Sequence, residues 1–413
     1  MMTPRPPRSP SWRSTVLAVV IGLPAAAQDN ATTRPWLELT PPCAPGAKAP
    51  ELSGRGTDVV LSWIEPAVGA GDEPRHALRF ARLEDTGWGP ATTIAEGHRW
   101  FVNWADLPAV IDGQDGAMLA HWLQRLETRH AYAVELARSD DRGKTWRRVG
   151  RLHDDKTQQQ HGFVSMLAVE SHFVALWLDG RARDADPSAP VMQLRATRID
   201  DAARPSQVVD GDVCSCCQTS AVLTDTGVVA VYRDHDAGEI RDISVVHAAT
   251  PWSKPKPVHR DGWEFPGCPV NGPALATDGH RLAAAWYTAA ESKPRVLVAF
   301  APSPTTAFDA PIVIDHQNPV GRVDVAWVPD GAVVSWLARD GEDAALRLRR
   351  ASPDGNLGEP LTIGRTSPGR GSGFPRLARS GDRLVIVWQG EGEGLPLRTA
   401  IVSIGALPKP LPR

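Results

Sequence analysis

A short apolar strand ending in an aromatic recurs seven times along the chain. The copies are VVLSW ending at Trp63, MLAHW at Trp122, FVALW at Trp177, VVAVY at Tyr232, LAAAW at Trp286, AVVSW at Trp336 and LVIVW at Trp388, spaced 50 to 59 residues apart. A held phase of this kind marks a repeat architecture. Each copy has the same neighbours. A strand and a tight turn precede it, as in VDVAWVPDG before Ala332 and PALATDG before His280. Asp-Gly pairs suit two-residue hairpins, because glycine takes positive φ at no steric cost. A third strand follows, such as Tyr132 to Ala137 or Arg295 to Phe300, and then a short fourth, as in GPATTI, WRRVGRL, SQVVD, WSKPKPV, APIVI and EPLTI. Four antiparallel strands per repeat predict the blade of a β-propeller.

The seventh repeat has inner strands at Phe374 to Arg379 and Arg383 to Trp388 and a third at Leu397 to Ile404, and then runs into a Pro-rich tail. Its missing outer strand can come from Trp36-Leu37-Glu38-Leu39, which would remove the last open sheet edge. The pattern therefore predicts one all-β, seven-bladed propeller over residues 35–405 and a tail at 406–413. A six-bladed propeller with an irregular seventh sheet is the alternative. No helix of any length is expected.

The N-terminus breaks this pattern. Arg5, Arg8 and Arg13 precede the apolar run Ser14 to Leu23, and Ala25-Ala26-Ala27 follows as a small-residue cleavage site. This reads as a signal peptide over 1–27 with a linker at 28–34. The apolar run is short for a bilayer span, and no other stretch is long and apolar enough. The mature chain is thus expected in the periplasm or secreted, where disulfides persist. Net charge is −3, so no global basic field argues for nucleic acid. No oligomerisation stripe appears, and a monomer is expected.

The reactive chemistry is concentrated in Val213-Cys214-Ser215-Cys216-Cys217-Gln218-Thr219, which holds three of the five cysteines. In a propeller, the loops entering the inner strands share one face with the loops joining second to third strands. That face should gather Trp104, His161, Cys214, Cys216, Cys217, Cys268, Asn271, Arg322 and Arg376 from the first set. Arg233, Asp234, His235 and Tyr287 come from the second, and Cys43 also maps there. The cysteine spacing is not that of a zinc ribbon. Disulfides with one free thiol, including a vicinal Cys216–Cys217 bond, are one outcome. Thiolate coordination of a soft metal by Cys214, Cys216, Cys217 and Cys268, joined by His161, is the other. Copper as Cu(I) leads and zinc follows. Arg233, Arg322 and Arg376 could together form a cationic funnel for a small anionic ligand, since guanidinium grips oxyanions bidentately. Asn271 and Trp104 would line it.

One turn between third and fourth strands is distinctive. Ser139-Asp140-Asp141-Arg142-Gly143-Lys144-Thr145-Trp146 matches the Asp-box pattern S-x-D-x-G-x-T-W at Ser139, Asp141, Gly143, Thr145 and Trp146. With the blade repeat, it resembles the sialidase superfamily, also called BNR-repeat proteins. In that family the Asp-box is a structural turn away from the catalytic centre. The segments VCSCCQT, YRDHDAGEIRDI, GWEFPGCPVNGPALA and GRVDVAWVPDGAVVSW also resemble exported bacterial sialidase-like proteins. The resemblance implies an arginine triad on a substrate carboxylate, a tyrosine nucleophile assisted by a glutamate, and an aspartate acid. This sequence departs from it. The F/Y-R-I-P motif is absent, Tyr232 sits at the packed aromatic position and Tyr132 on a third strand. Tyr287 and Asp234 are the remaining catalytic candidates, with no glutamate clearly placed beside Tyr287. Three readings follow. The first is a soft-metal or ligand-binding propeller. The second is a sialidase-type glycoside hydrolase or glycan-binding module for an anionic sugar. The third is a disulfide-stapled scaffold for protein partners.

Overall fold

The seven recurrent aromatics are the hubs of seven sheets. Trp63, Trp177 and Trp286 are fully enclosed, Trp336, Trp388 and Tyr232 nearly so, and Trp122 is buried. A buried indole needs a partner for its N–H, and four of them find a carboxylate. Trp63 donates to Glu65 at 2.7 Å, Trp177 to Asp179 at 2.8 Å, Trp286 to Asp261 at 2.7 Å and Trp336 to Asp315 at 2.6 Å. The hydroxyl of Tyr232 donates to Asp210 at 2.5 Å.

The computed structural model describes residues 1–2, 34–68, 73–188, 191–249, 251–392 and 396–411. Pro35–Arg413 forms one compact unit, and its sheets run in chain order. Blade 1 is Lys48–Arg55, Asp58–Pro66, Arg75–Glu84 and Thr92–His98, with a two-residue strand Gly87–Trp88 beside the third. Blade 2 is Ala109–Asp112, Met118–Arg125, Tyr132–Ser139 and Arg147–Arg151. Blade 3 is His161–Val169, His172–Asp179, Gln193–Ile199 and Gln207–Asp210. Blade 4 is Ser220–Thr224, Gly227–Arg233, Ile243–His247 and Lys256–His259. Blade 5 is Ala274–Thr277, Leu282–Thr288, Arg295–Ala301 and Ile312–Asp315. Blade 6 is Pro319–Val328, Gly331–Asp340, Asp343–Ala351 and Leu361–Thr366. Blade 7 is Arg376–Ser380, Arg383–Gln389 and Leu397–Ser403, completed by Trp36–Leu39.

The closing strand pairs antiparallel, Trp36 opposite Val402 and Leu39 opposite Thr399. The seven-bladed expectation holds, and the six-bladed alternative falls because the seventh sheet is a regular four-stranded one. The tail does not run free: Leu407 is buried and Leu411 bridges to Leu357 of the blade 6 hairpin loop. The expectation of no helix needs one small correction, a four-residue helix at Ala182–Ala185. No helix among the described residues is long and apolar enough to cross a membrane. The signal segment 1–27 and most of the linker 28–34 lie outside the described residues.

Register fixes what faces the axis. On each inner strand, one residue pairs with the residue just before the hub aromatic. These seven are Glu51, Ala109, Ser165, Ser220, Ala274, Asp324 and Arg376. Because side chains alternate along a strand, the shared register puts these seven at one level around the axis. All but Ala274 line a single axial cavity of about 1240 Å³.

The Asp-box turn is built as its sequence requires. Ser139 Oγ accepts the Gly143 N–H at 2.8 Å, and Asp141 accepts the Thr145 N–H at 2.9 Å and its hydroxyl at 2.7 Å. Those bonds from Thr145 hold the Asp141 carboxyl down to about 2. Trp146 donates to the Gly143 carbonyl at 3.0 Å and packs edge-on against Phe80 of blade 1. Gly143 sits at φ +85°, and a Cβ there would lie 2.4 Å from the Phe80 ring. Gly143→Ala is therefore expected to destabilise the fold by about 1–3 kcal/mol, read as a lowered midpoint in urea unfolding. An unchanged midpoint would mean that the turn does not clamp blade 2 to blade 1.

Candidate functional site

The loop joining blade 3 to blade 4 is held before its cysteines begin. The Val213 N–H donates to Met192 O, Val213 bridges antiparallel to Asp234, and the Cys214 N–H donates to Arg233 O at 3.1 Å. The chain then turns, so that Cys214 Sγ lies 3.9 Å from Cys216 Sγ and 3.5 Å from Cys217 Sγ. All three sulfurs fall within 4.8 Å of one another. Cys214 and Cys217 are buried and Cys216 is half-buried.

The three thiols shift one another's ionisation. Hydrogen bonds with Cys216 and Cys217 drive the pKa of Cys214 down, with the Arg233 guanidinium adding to the effect and burial opposing it. The same bonding with Cys214 drives Cys216 up. Cys217 is pushed up chiefly by burial.

Two of the other expected ligands lie elsewhere. Cys268 is exposed and does not join this cluster. His161 sits in a second buried group, where its ring stacks on His153 at 3.7 Å. His161 Nε2 is 3.1 Å and His153 Nδ1 2.8 Å from the same oxygen of Asp155. Arg181 joins them through Asp155 at 3.1 Å and Asp179 at 2.8 Å. Burial works against ionisation of Asp155, but hydrogen bonds from His153, His161 and Thr157 outweigh it and hold its carboxyl below the usual range. One guanidinium is shared among Asp154, Asp155 and Asp179, and His153, Asp155 and His161 form a second group whose ligand atoms lie within 4.8 Å of one another, apart from the cysteines. Cys43 packs half-buried against the core of blade 1, its thiol raised by burial and by Glu65.

The expected cationic funnel is also corrected. Arg233 is almost wholly buried and spends its donors on backbone carbonyls: Asn271 O at 3.0 and 2.7 Å, Tyr287 O at 2.7 Å, and Arg241 O. The Trp263 ring covers its face at 4.8 Å. Arg322 is likewise buried, bonded to Ser372 Oγ and to the carbonyls of Gly373, Pro368 and Gly369. Burial with no facing anion lowers its pKa to about 10. Trp104 lies 5.0 Å from that guanidinium and stacks on Phe374. Asn271 ties the two arginines together, its carbonyl accepting from Arg233 and its Oδ1 accepting the Arg322 N–H at 2.7 Å. Arg376 is the one arginine of the three left on the axis, and it pairs with Glu51 at 2.9 Å.

Tyr287 is half-buried beside Trp263, its hydroxyl pKa raised by burial. Asp234 is pushed up to about 6 by burial, against a hydrogen bond from Ser244 at 2.6 Å. The expected face is therefore real as a meeting place of loops, but the arginines make it a plug. Gln218 completes the seal by donating to Ala105 O at 2.6 Å and accepting the Gly272 N–H at 3.0 Å.

The axial cavity opens on the opposite face. Its walls run out to the exposed turn residues Gly56, Asp58, Gln114, Glu170 and Asp278, and its floor is the buried trio Asp106, Phe163 and Gln218. The sequence reading missed Glu51, Asp106 and Asp324, and placed Tyr132 only as a third-strand residue. For Glu51 and Asp324 a signal existed, a charged residue at one repeat position of an otherwise apolar inner strand. Asp106 accepts the Phe163 N–H at 2.7 Å. Its Oδ2 is buried without a hydrogen-bond partner, the Tyr132 hydroxyl standing close by.

The sequence matches no protein-family model and no curated protein. Solved structures share the fold. The chain aligns with a polysaccharide lyase, Uly1, at TM-score 0.51 and 9% identity over 86% of this chain and 90% of that one. It aligns with an alpha-L-arabinanase from Penicillium chrysogenum at TM-score 0.50 and 12% identity over 90% and 98%. A sialidase from Trypanosoma rangeli aligns at TM-score 0.44 and 13% identity over 78% and 57%. The seven-bladed propeller expected from the repeat is the fold observed. At these identities the likeness extends to fold alone.

Two outcomes follow from the burial pattern. In native protein, a maleimide is expected to label Cys268 first and Cys216 slowly, with Cys214 and Cys217 reacting only after unfolding, as read by peptide mass spectrometry. Early labelling of Cys214 would overturn the packing of the loop. The second outcome concerns Asp106, whose carboxyl is pushed up to about 7 by burial. Between the ordinary aspartate value near 4 and that value, the folded state keeps a proton that the unfolded chain has lost, so this group erodes stability as pH rises. Asp106→Asn, which cannot ionise, should gain in melting temperature relative to wild type from pH 4 to pH 8. A constant gap across that range would contradict a buried titrating Asp106.

Proposed function

We propose that this is an exported, sialidase-like propeller that binds one soft metal ion, Cu(I), through Cys214, Cys216 and Cys217. The observation that carries the reading is the sulfur triangle, with edges of 3.5 and 3.9 Å from Cys214. Thiolates about 2.3 Å from a shared metal stand roughly 3.8 Å apart, so little movement would close the three around an ion. The described residues bring no fourth cysteine or histidine into the group. A three-sulfur set suits Cu(I), which soft thiolates select, better than structural zinc, which takes four ligands. Arg233 supplies positive charge beside a set that would become net negative. The Pro-bounded apolar N-terminal run supports an oxidising, extracytoplasmic compartment.

The 3.5 Å separation of Cys214 and Cys217 also favours a second reading, a disulfide between them, since that distance closes to a bond with a modest side-chain rotation. The sialidase-type hydrolase reading draws no support from Arg233 and Arg322, whose donors are taken by carbonyls.

The test is a Cu(I) titration of the full chain, reduced and anaerobic, against a coloured chelator such as bicinchoninate. One equivalent is expected to bind. Cys214→Ser and Cys216→Ser should each weaken binding by at least about 100-fold, beyond the usual effect of a group that merely orients a ligand. Cys268→Ser should leave it unchanged. Absence of Cu(I) binding with all five thiols titratable sinks the metal reading, and a Cys214–Cys217 bond found by mass spectrometry in protein purified without reductant favours the disulfide.

A further inference from the structure

The ring of seven axial residues is uneven. Asp324, Arg376 and Glu51 come from blades 6, 7 and 1, which are neighbours around the closed ring, so the charged members form one continuous arc. Ala109, Ser165, Ser220 and Ala274, from blades 2 to 5, make the rest of the ring with methyl and hydroxyl groups. Two carboxyls, Glu51 and Asp324, flank a single guanidinium, and among the described residues no other cation lines the cavity at this depth. Arg55 and Arg379 belong to the outer rim, where Arg55 donates to Gly113 O and Arg379 to Gly381 O and Trp327 O.

Asp106 adds a third carboxyl at the floor. It is 2% exposed and lines the cavity, with the Tyr132 hydroxyl close to its second oxygen. Acids along the cavity already have partners: Asp324 accepts the Val325 and Leu377 N–H groups at 2.8 Å, leaving further lone pairs on each oxygen, Asp112 pairs with Arg82 at 2.6 Å and Asp278 with Arg281 at 2.7 Å.

We propose that the axial cavity is a second ligand site, entered from the face opposite the cysteines, for a small organic cation carrying a protonated amine. The ammonium group lies against Glu51 and Asp324 and completes the charge of the arc. The body of the ligand lies against Ala109, Ser165 and Ser220. At about 1240 Å³ the cavity has room for an organic ligand with water around it. A carboxylate ligand is disfavoured, because the one guanidinium facing the axis is already bonded to Glu51. Burial raises the Glu51 carboxyl to about 7, against the pull of Arg376 and with Asp324 adding to the rise. An arriving ammonium would favour its ionised form.

The experiment compares three probes of one length on the full chain, metal-free and with its thiols reduced: 1,4-diaminobutane, 1,4-butanediol and succinate. Under those conditions its outcome is separate from that of the copper titration. Calorimetry should show binding of the diamine alone, weakened at least about tenfold in Glu51→Gln and in Asp324→Asn. As a second measurement that needs no variant, carbodiimide coupling of glycinamide to Glu51 should be slowed by the diamine. Equal binding of the diol would overturn the proposal, since it would make shape rather than charge the determinant. Binding of succinate in place of the diamine would overturn it by making Arg376 the ligand's partner. Diamine binding that is untouched in both variants and gives no protection of Glu51 would do the same.

Discussion

Two guanidinium groups without free solvent set the terms for the rest of the molecule. Arg233 and Arg322 are nearly fully enclosed, and a buried charge is tolerated only when its donors are satisfied. The chain satisfies them with backbone oxygens drawn from loops far apart in sequence: Arg241, Asn271 and Tyr287 around one, and Pro368, Gly369 and Gly373 around the other. Loops that would otherwise be independent are thereby fixed against one another, and Asn271 couples the two hubs. The cysteine loop inherits its shape from this arrangement, since Cys214 is hung from the carbonyl of Arg233.

Carboxylates are likewise assigned mostly to structure. Glu65, Asp179, Asp261 and Asp315 hold the indoles of four hub tryptophans, and Asp210 holds Tyr232. An acid found near the top of a blade is therefore no sign of catalysis in this fold. Glu51, Asp324 and Asp106 differ because they line open space.

The blade count and the closing strand were legible because they rest on one hydrophobic period, which burial enforces at each hub aromatic. The Asp-box was legible because its bonds are local, running from Ser139 to Gly143 and from Asp141 to Thr145. The convergence of Cys214, Cys216 and Cys217 was legible for the same reason. Cys268 and His161 were not, because loop position places a residue on a face without saying which way its side chain turns. His161 turns to Asp155 and His153, and Cys268 stays in solvent. Arg233 and Arg322 looked like ligand-binding groups because nothing in a sequence reveals which carbonyls will crowd a guanidinium. The axial arc was within reach, since Glu51, Asp324 and Arg376 share one register of the repeat. Its signal lies on the strand before each hub aromatic, at the position paired with the residue preceding that aromatic.

The closing strand also imposes an order of events. Trp36–Leu39 is among the first parts of the propeller to be synthesised, and its partner Leu397–Ser403 among the last. Blade 7 therefore stays incomplete, with an open edge, until nearly the whole chain is available. The equilibrium cost of so long a loop grows only with the logarithm of its length, but pairings this distant slow folding and leave the edge exposed to other chains while it waits. Closure of the ring thus depends on a pairing between the two ends of the propeller sequence. The axial arc is drawn from blades 6, 7 and 1, the blade that carries that seam and its two neighbours, so the same pairing that seals the ring also ties down the arc.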